Sequence, residues 1–133
     1  MHARKMGGLA GLLALAAGTT MAASPVNDTL LEACLGGRGT TTQGMVECYG
    51  EANARQNARL NAAYRQLMAV LPAKRQHALR AVQRQWIGWR DASCGFYLDP
   101  DGGTLGRVEV AQCLYRTTHE RADTLQELLD QRR

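Results

Sequence analysis

The sequence is short of most features that mark a catalytic or metal-binding domain. None of its four cysteines forms a CxxC pair, no HxxxH pair occurs, and the closest two, Cys34 and Cys48, stand fourteen residues apart. Zinc sites gather their ligands in close pairs, so no metal is expected. Only three prolines occur and runs of β-branched residues are few, so no strand is expected and no glycine-rich phosphate loop can follow one. Ser93 has no histidine nearby, and no two carboxylates can be paired for acid–base work from the sequence. These absences predict no enzyme and no cofactor, and a lean helical chain of this size offers no evident deep pocket. No apolar run reaches the roughly 20 residues that span a bilayer. Neither an internal repeat nor a low-complexity segment follows the N-terminal stretch.

What is present begins with that stretch. His2, Arg4 and Lys5 make a short basic start, and residues 6–17 are Met, Gly, Ala and Leu only. Gly18, Thr19, Thr20, Met21, Ala22, Ala23 and Ser24 follow as a small-residue segment. This is the order of a secretory signal, with cleavage expected after Ala22 or Ala23. The reading is therefore a signal peptide at 1–23 and one domain at 24–133. No Cys lies at the cut, so a lipid anchor there is not expected. Residues 1–23 hold two basic residues and no acid, which leaves 14 basic and 12 acidic residues, a net +2. That mild balance, with arginines spread among Glu and Gln, predicts solvated helix faces and no nucleic-acid partner.

About 110 residues suffice for one core, and long stretches of Ala, Leu, Gln, Arg and Glu favour helix. A short helix is expected over about 27–35, capped by Asn27 or Asp28 and stopped by Gly36-Gly37-Arg38-Gly39. Thr41 or Thr42 caps a second helix to about Val70, whose stripe is Met45, Cys48 or Tyr49, Ala52, Leu60, Ala63 or Tyr64, Leu67 and Leu71. Pro72 opens a third, about 73–98, with Leu79, Val82, Trp86, Trp89 or Arg90, Ser93 and Tyr97 inward. Asp99-Pro100-Asp101-Gly102-Gly103 is a turn, and Thr104 can cap a fourth helix, about 105–130. The inward stripe there is Leu105, Val108, Ala111, Leu114 or Tyr115, Thr118, Ala122, Leu125 and Leu128 or Leu129. The fold class is all-α: an antiparallel three-helix bundle plus a short N-terminal helix.

An even number of cysteines in an exported chain reads as two disulfides. Four cysteines allow three pairings. The hairpin through residues 99–103 brings Cys94 beside Cys113, and the glycine-rich turn does the same for Cys34 and Cys48, so these two bonds are the predicted ones.

The run Gln83-Arg84-Gln85-Trp86-Ile87-Gly88-Trp89-Arg90-Asp91-Ala92-Ser93-Cys94 resembles the central motif of the LprI-type lysozyme-inhibitor family. Leu60-Asn61-Ala62-Ala63-Tyr64 is similar to that family's preceding helix, and Cys113 with Thr118, Arg121 and Leu125 to its last. Thr42, Met45 and Cys48 resemble its N-terminal segment, and Gly102-Gly103-Thr104 its Gly-Gly-Ser turn. The resemblance covers nearly the whole predicted domain. It implies an all-helical periplasmic or secreted binding protein whose partner is a lysozyme-type muramidase.

Among the marked residues, Trp86 and Trp89 read as packing aromatics. Arg90, Asp91 and Arg121 read as a hydrogen-bonded charge cluster beside Cys94 and Cys113, where an acid such as Asp91 or Glu51 should meet a partly buried arginine. Asn61 and Tyr64 read as interhelical hydrogen-bonders, His77 as exposed, and His119 with Glu120 as surface. An inhibitor must plug a cleft lined by two carboxylates. The candidate partner-binding residues are Arg38 in the glycine-rich turn and Asp99, Asp101 and Thr104 in the second turn. The alternative is a non-catalytic structural or stress protein of the cell envelope with another periplasmic partner. A third reading, contact with membrane surfaces, rests on the arginine-rich stretch from Lys74 to Arg90. The sequence assigns no oligomeric state.

Overall fold

A computed structural model describes residues 28–132; the signal segment expected at 1–23 lies outside them. Four helices and no strand occur among the described residues: α1 Thr29–Arg38, α2 Thr42–Val70, α3 Ala73–Gly95 and α4 Leu105–Asp130. None of them is long and apolar enough to cross a membrane.

Each boundary has a local cause. Asp28 Oδ1 accepts the Leu31 N–H at 3.0 Å and starts α1. The expected stop at Gly36 does not occur, and α1 continues through both glycines to Arg38. Helical glycine costs about 1 kcal/mol relative to alanine. Here the Cys34–Cys48 bond on one side and Arg38, tied to Glu51 at 2.8 Å, on the other hold the extra turn against α2. Thr41 Oγ1 accepts the Gly44 N–H at 3.0 Å and caps α2. Gly44 is required: a Cβ there would stand 1.7 Å from the Arg38 carbonyl oxygen.

At the other end of α2, the Gln76 side-chain amide donates to the Met68 and Leu71 carbonyls at 3.0 and 2.9 Å. These are groups a helix terminus leaves unpaired. α3 stops at Gly95, three residues before the expected Leu98. The turn then closes through Gly102 N–H to Asp99 O and Asp101 N–H to Asp99 Oδ1, both 3.0 Å. Thr104 precedes α4, but its side chain makes no capping bond.

The disulfides are Cys34–Cys48 and Cys94–Cys113. Side-chain pairs give the helix directions. Cys48 and Ala52 cluster with Tyr115, and Arg59 meets Asp123, so α2 and α4, which share most of the interhelical contact, run parallel. Cys94 meets Cys113, Arg90 reaches Thr118, and Gln83 meets Arg121, so α3 runs antiparallel to α4. The antiparallel expectation therefore applies between consecutive long helices, not between α2 and α4.

Two apolar clusters fill the interior. One joins Leu31, Cys48, Ala52 and Tyr115 at the disulfide end. The other joins Leu60, Ala63, Leu67, Leu71, Ala122 and Leu125 toward Pro72, with Leu79 and Trp86 of α3 packed against it. The helix register puts the 39–41 turn and the 99–104 turn at the same end of the molecule, next to both disulfides.

Candidate functional site

The motif residues gather where α3 crosses α2 and α4. Trp86 is half-buried, with the Arg90 and Arg121 guanidinium carbons 5.0 and 5.8 Å from its ring centroid. Arg90 pairs with Asp91, Nε to Oδ1 at 2.9 Å, and its Nη1 stands 3.5 Å from the buried Thr118 hydroxyl. Arg121 finds no acid among the described residues; its Nε donates to the buried Gln83 Oε1 at 3.0 Å. Burial lowers the Arg121 pKa below the ordinary arginine value, although a guanidinium stays charged in a protein. Arg90 therefore meets Asp91, whereas Arg121 meets the Gln83 amide oxygen instead of an acid, and Glu51 pairs with Arg38.

α3 presents an unexpected face. Its buried residues are Gln83 and Cys94 only; Leu79 and Trp86 pack against the core as expected, while Val82 and Trp89, and Tyr97 beyond its end, are exposed. The bond from Cys94 to Cys113 sets the helix rotation. Trp89, five residues earlier, then lies about 140° round the axis at ~100° per residue, and it is 57% exposed. Asn61 and Tyr64 make no interhelical side-chain hydrogen bond among the described residues. Both instead line an open trough of about 480 Å³ between α2 and α3, with Asn57 and Leu60 from α2 and Arg80, Arg84, Trp86, Ile87 and Arg90 from α3.

The disulfide end carries a second set of groups. Asp28 accepts from the Leu31 N–H, from Arg55 at 3.3 Å and from the Tyr115 hydroxyl at 3.2 Å. Burial would raise the Asp28 pKa, but these three partners together hold it below the ordinary carboxylate value. Burial, joined by the Asp28 charge, pushes Tyr115 up to about 12. His119, expected at the surface, is largely buried. Its Nε2 stands 3.2 Å from Asp123 and its ring lies against Tyr115.

Arg38 is the last residue of α1. It contacts both Glu51 oxygens at 2.8 Å, Glu47 at 3.6 Å and the Cys34 sulfur at 3.0 Å. Asp99, Asp101 and Thr104 are exposed in their turn. Around them stand exposed apolar residues, Phe96 at 87%, Leu98 at 56% and Leu105 at 61%, of which the sequence did not single out the first two. Leu105 had been expected inward. Gly106 allows this end to close, since a Cβ there would stand 2.5 Å from the Tyr97 carbonyl oxygen. Among the described residues no group of three or more His, Cys, Asp or Glu could hold a metal ion.

Fold and site together define a small helical domain, stapled at one end and carrying exposed aromatic and apolar side chains there. The family model described as "Lysozyme inhibitor LprI" matches residues 34–125, and the chain belongs to that family. It is also similar to an uncharacterised protein of Rhizobium meliloti (strain 1021), 32% identical over 90 residues. That alignment covers 56% of this chain and 63% of the relative, so the chain spans less than two thirds of the relative's length. No solved structure matches.

Proposed function

We propose that this chain is a periplasmic or secreted, non-catalytic binding protein that engages a lysozyme-type muramidase with its stapled end. In this reading residues 1–23 are removed and residues 24–133 form one working domain, an elongated three-helix bundle buttressed by α1. Two disulfides support an oxidising compartment, and family membership supports the partner class.

The observation that carries the reading is the tip itself. Phe96, Leu98 and Leu105 are exposed around the Asp99–Thr104 turn. Protein interfaces combine an aromatic and apolar centre with a polar rim, and a few such anchors supply most of the binding energy. Asp99 and Asp101 give this rim local negative charge on a chain of net positive charge, which suits a basic partner. Arg38 stands at the same end with Glu47 and Glu51 as further rim charges.

The test is inhibition of cell-wall lysis by several muramidases, using the oxidised domain of residues 24–133. Inhibition is expected, with weakening of about tenfold or more on Phe96→Asp, the scale of a binding hot spot. A folded domain that inhibits none of the enzymes would refute the reading and favour a different envelope partner.

A further inference from the structure

We propose that the trough between α2 and α3 is a second binding site, and that it takes an amphipathic acidic segment of a partner protein. The trough lies on the flank of the bundle, away from the tip. Its lining holds three arginines and no carboxylate. Arg90 is already paired with Asp91, whereas Arg80 and Arg84 are exposed and have no ion-pair partner among the described residues. Successive helix positions i and i+4 place these two guanidiniums on one rim. On the opposite rim the Asn57 and Asn61 side-chain amides make no hydrogen bond among the described residues. Between the rims runs an apolar floor of Leu60, Trp86 and Ile87, the last 40% exposed.

The arrangement selects its occupant. Unpaired guanidiniums on a rim call for carboxylates, which they bind in a bidentate fork. An apolar floor calls for apolar side chains facing it, as in the laying of an amphipathic helix into a groove. Free amides on the other rim suit peptide or side-chain polar groups. A carboxylated sugar would pair with the arginines but leave the aliphatic Leu60 and Ile87 of the floor without an apolar partner. An acidic amphipathic peptide satisfies both.

The test uses the whole oxidised domain and a fluorescein-labelled peptide of about twelve residues, with Leu and Glu at helical spacing; at ~1.5 Å per residue it spans the trough. Binding is followed by anisotropy, with oligogalacturonate as the carbohydrate competitor. The expected result is binding that weakens about tenfold or more in the Arg80→Glu/Arg84→Glu double variant and falls as salt is raised. Amide signals of α2 and α3, and not those of residues 96–105, should shift on titration. Both arginines are exposed, so the variant should retain its helical circular dichroism, and Arg84→Gln provides a milder check. Equal binding by variant and wild type, no binding, tighter binding of oligogalacturonate, or shifts confined to the tip would each overturn the proposal. The Phe96→Asp variant should bind the peptide like wild type, which separates this site from the tip.

Discussion

The two ends of the molecule are held together by different means. Toward Pro72, Leu60, Leu67, Leu71 and Leu125 meet in an apolar core that needs no covalent help. At the opposite end the buried cluster consists of Leu31, Ala52, Cys48 and Tyr115, with far less aliphatic bulk, and two disulfides sit beside it. There the apolar residues Phe96, Leu98 and Leu105 face solvent. A cross-link constrains the chain without consuming apolar surface, because much of its effect falls on the unfolded state. The stapled end can therefore turn Phe96, Leu98 and Leu105 outward, while at the Pro72 end Leu60, Leu67, Leu71 and Leu125 are buried in the core.

Substitutions should separate the two mechanisms, beginning with the largest effect. Leu125 is fully buried, so Leu125→Ala should cost about 2–5 kcal/mol in a urea titration, with disulfides intact. A cost below about 1 kcal/mol would mean that the Pro72 end is not the main apolar core. Each disulfide closes a short loop, of separation 14 and 19, and its removal by paired Cys→Ala substitution should cost about 3 kcal/mol. Hydrogen exchange should then rise first in α1 and the start of α4, leaving the Leu67 region protected. Uniform loss of protection would break the contrast between the ends.

Titration sharpens the comparison further. The Tyr115 pKa is raised, so its contribution is present below the unfolded value near 10 and is lost as the pH climbs toward about 12. The loss is on the order of 3 kcal/mol at ~1.4 kcal/mol per pH unit, and Tyr115→Phe should remove this alkaline arm from a plot of stability against pH. Asp28 shifts the other way: its pKa is lowered, so its contribution is present above the ordinary carboxylate value and is lost as the pH falls through the lowered one. Asp28→Asn should flatten that acid arm. The smallest effect belongs to the exposed pair Arg59 and Asp123 between the two ends. Breaking it with Arg59→Ala should change stability by less than about 1 kcal/mol, and less still in high salt.

Much of this scaffold was legible in the chain because its punctuation is strong. Thr41, Pro72 and the Asp99–Gly103 turn mark boundaries through hydrogen-bonding and dihedral constraints that act locally, and those boundaries held to within a few residues. Where tertiary contacts decide, the reading drifted. α1 passes through Gly36 and Gly37 because Cys34 and Arg38 are fastened to α2, a cause that lies outside the segment. Of the inward face expected for α3, Leu79, Trp86 and the alternative Arg90 do turn toward the bundle, but Val82, Trp89 and Tyr97 are exposed and Gln83 and Cys94 are buried instead. Apolar periodicity favours Val82 and Trp89, while the Cys94–Cys113 bond turns Gln83 and Cys94 inward, and Cys94 is the signal for it. The trough was hidden for a related reason. Arg80 and Arg84 read as solvated helix surface and Asn61 as an interhelical hydrogen-bonder, and only the separation of α2 from α3 makes them, with Asn57, one lining.

The parallel course of α2 and α4 has an electrostatic consequence. Peptide dipoles leave about half a positive charge at each helix N-terminus and half a negative charge at each C-terminus. At the stapled end the starts of α2 and α4 meet the finishes of α1 and α3, so these partial charges cancel. At the Pro72 end two C-termini face the single N-terminus of α3 and leave an excess of about half a negative charge. Lys74 and Arg75 lie there, as does Arg132, whose guanidinium donates to the Leu128 carbonyl at 2.6 Å. The backbone thus sets the polarity of one end and leaves the other neutral, so the field a partner meets at the tip is written by a handful of side chains and can be rewritten by substituting them.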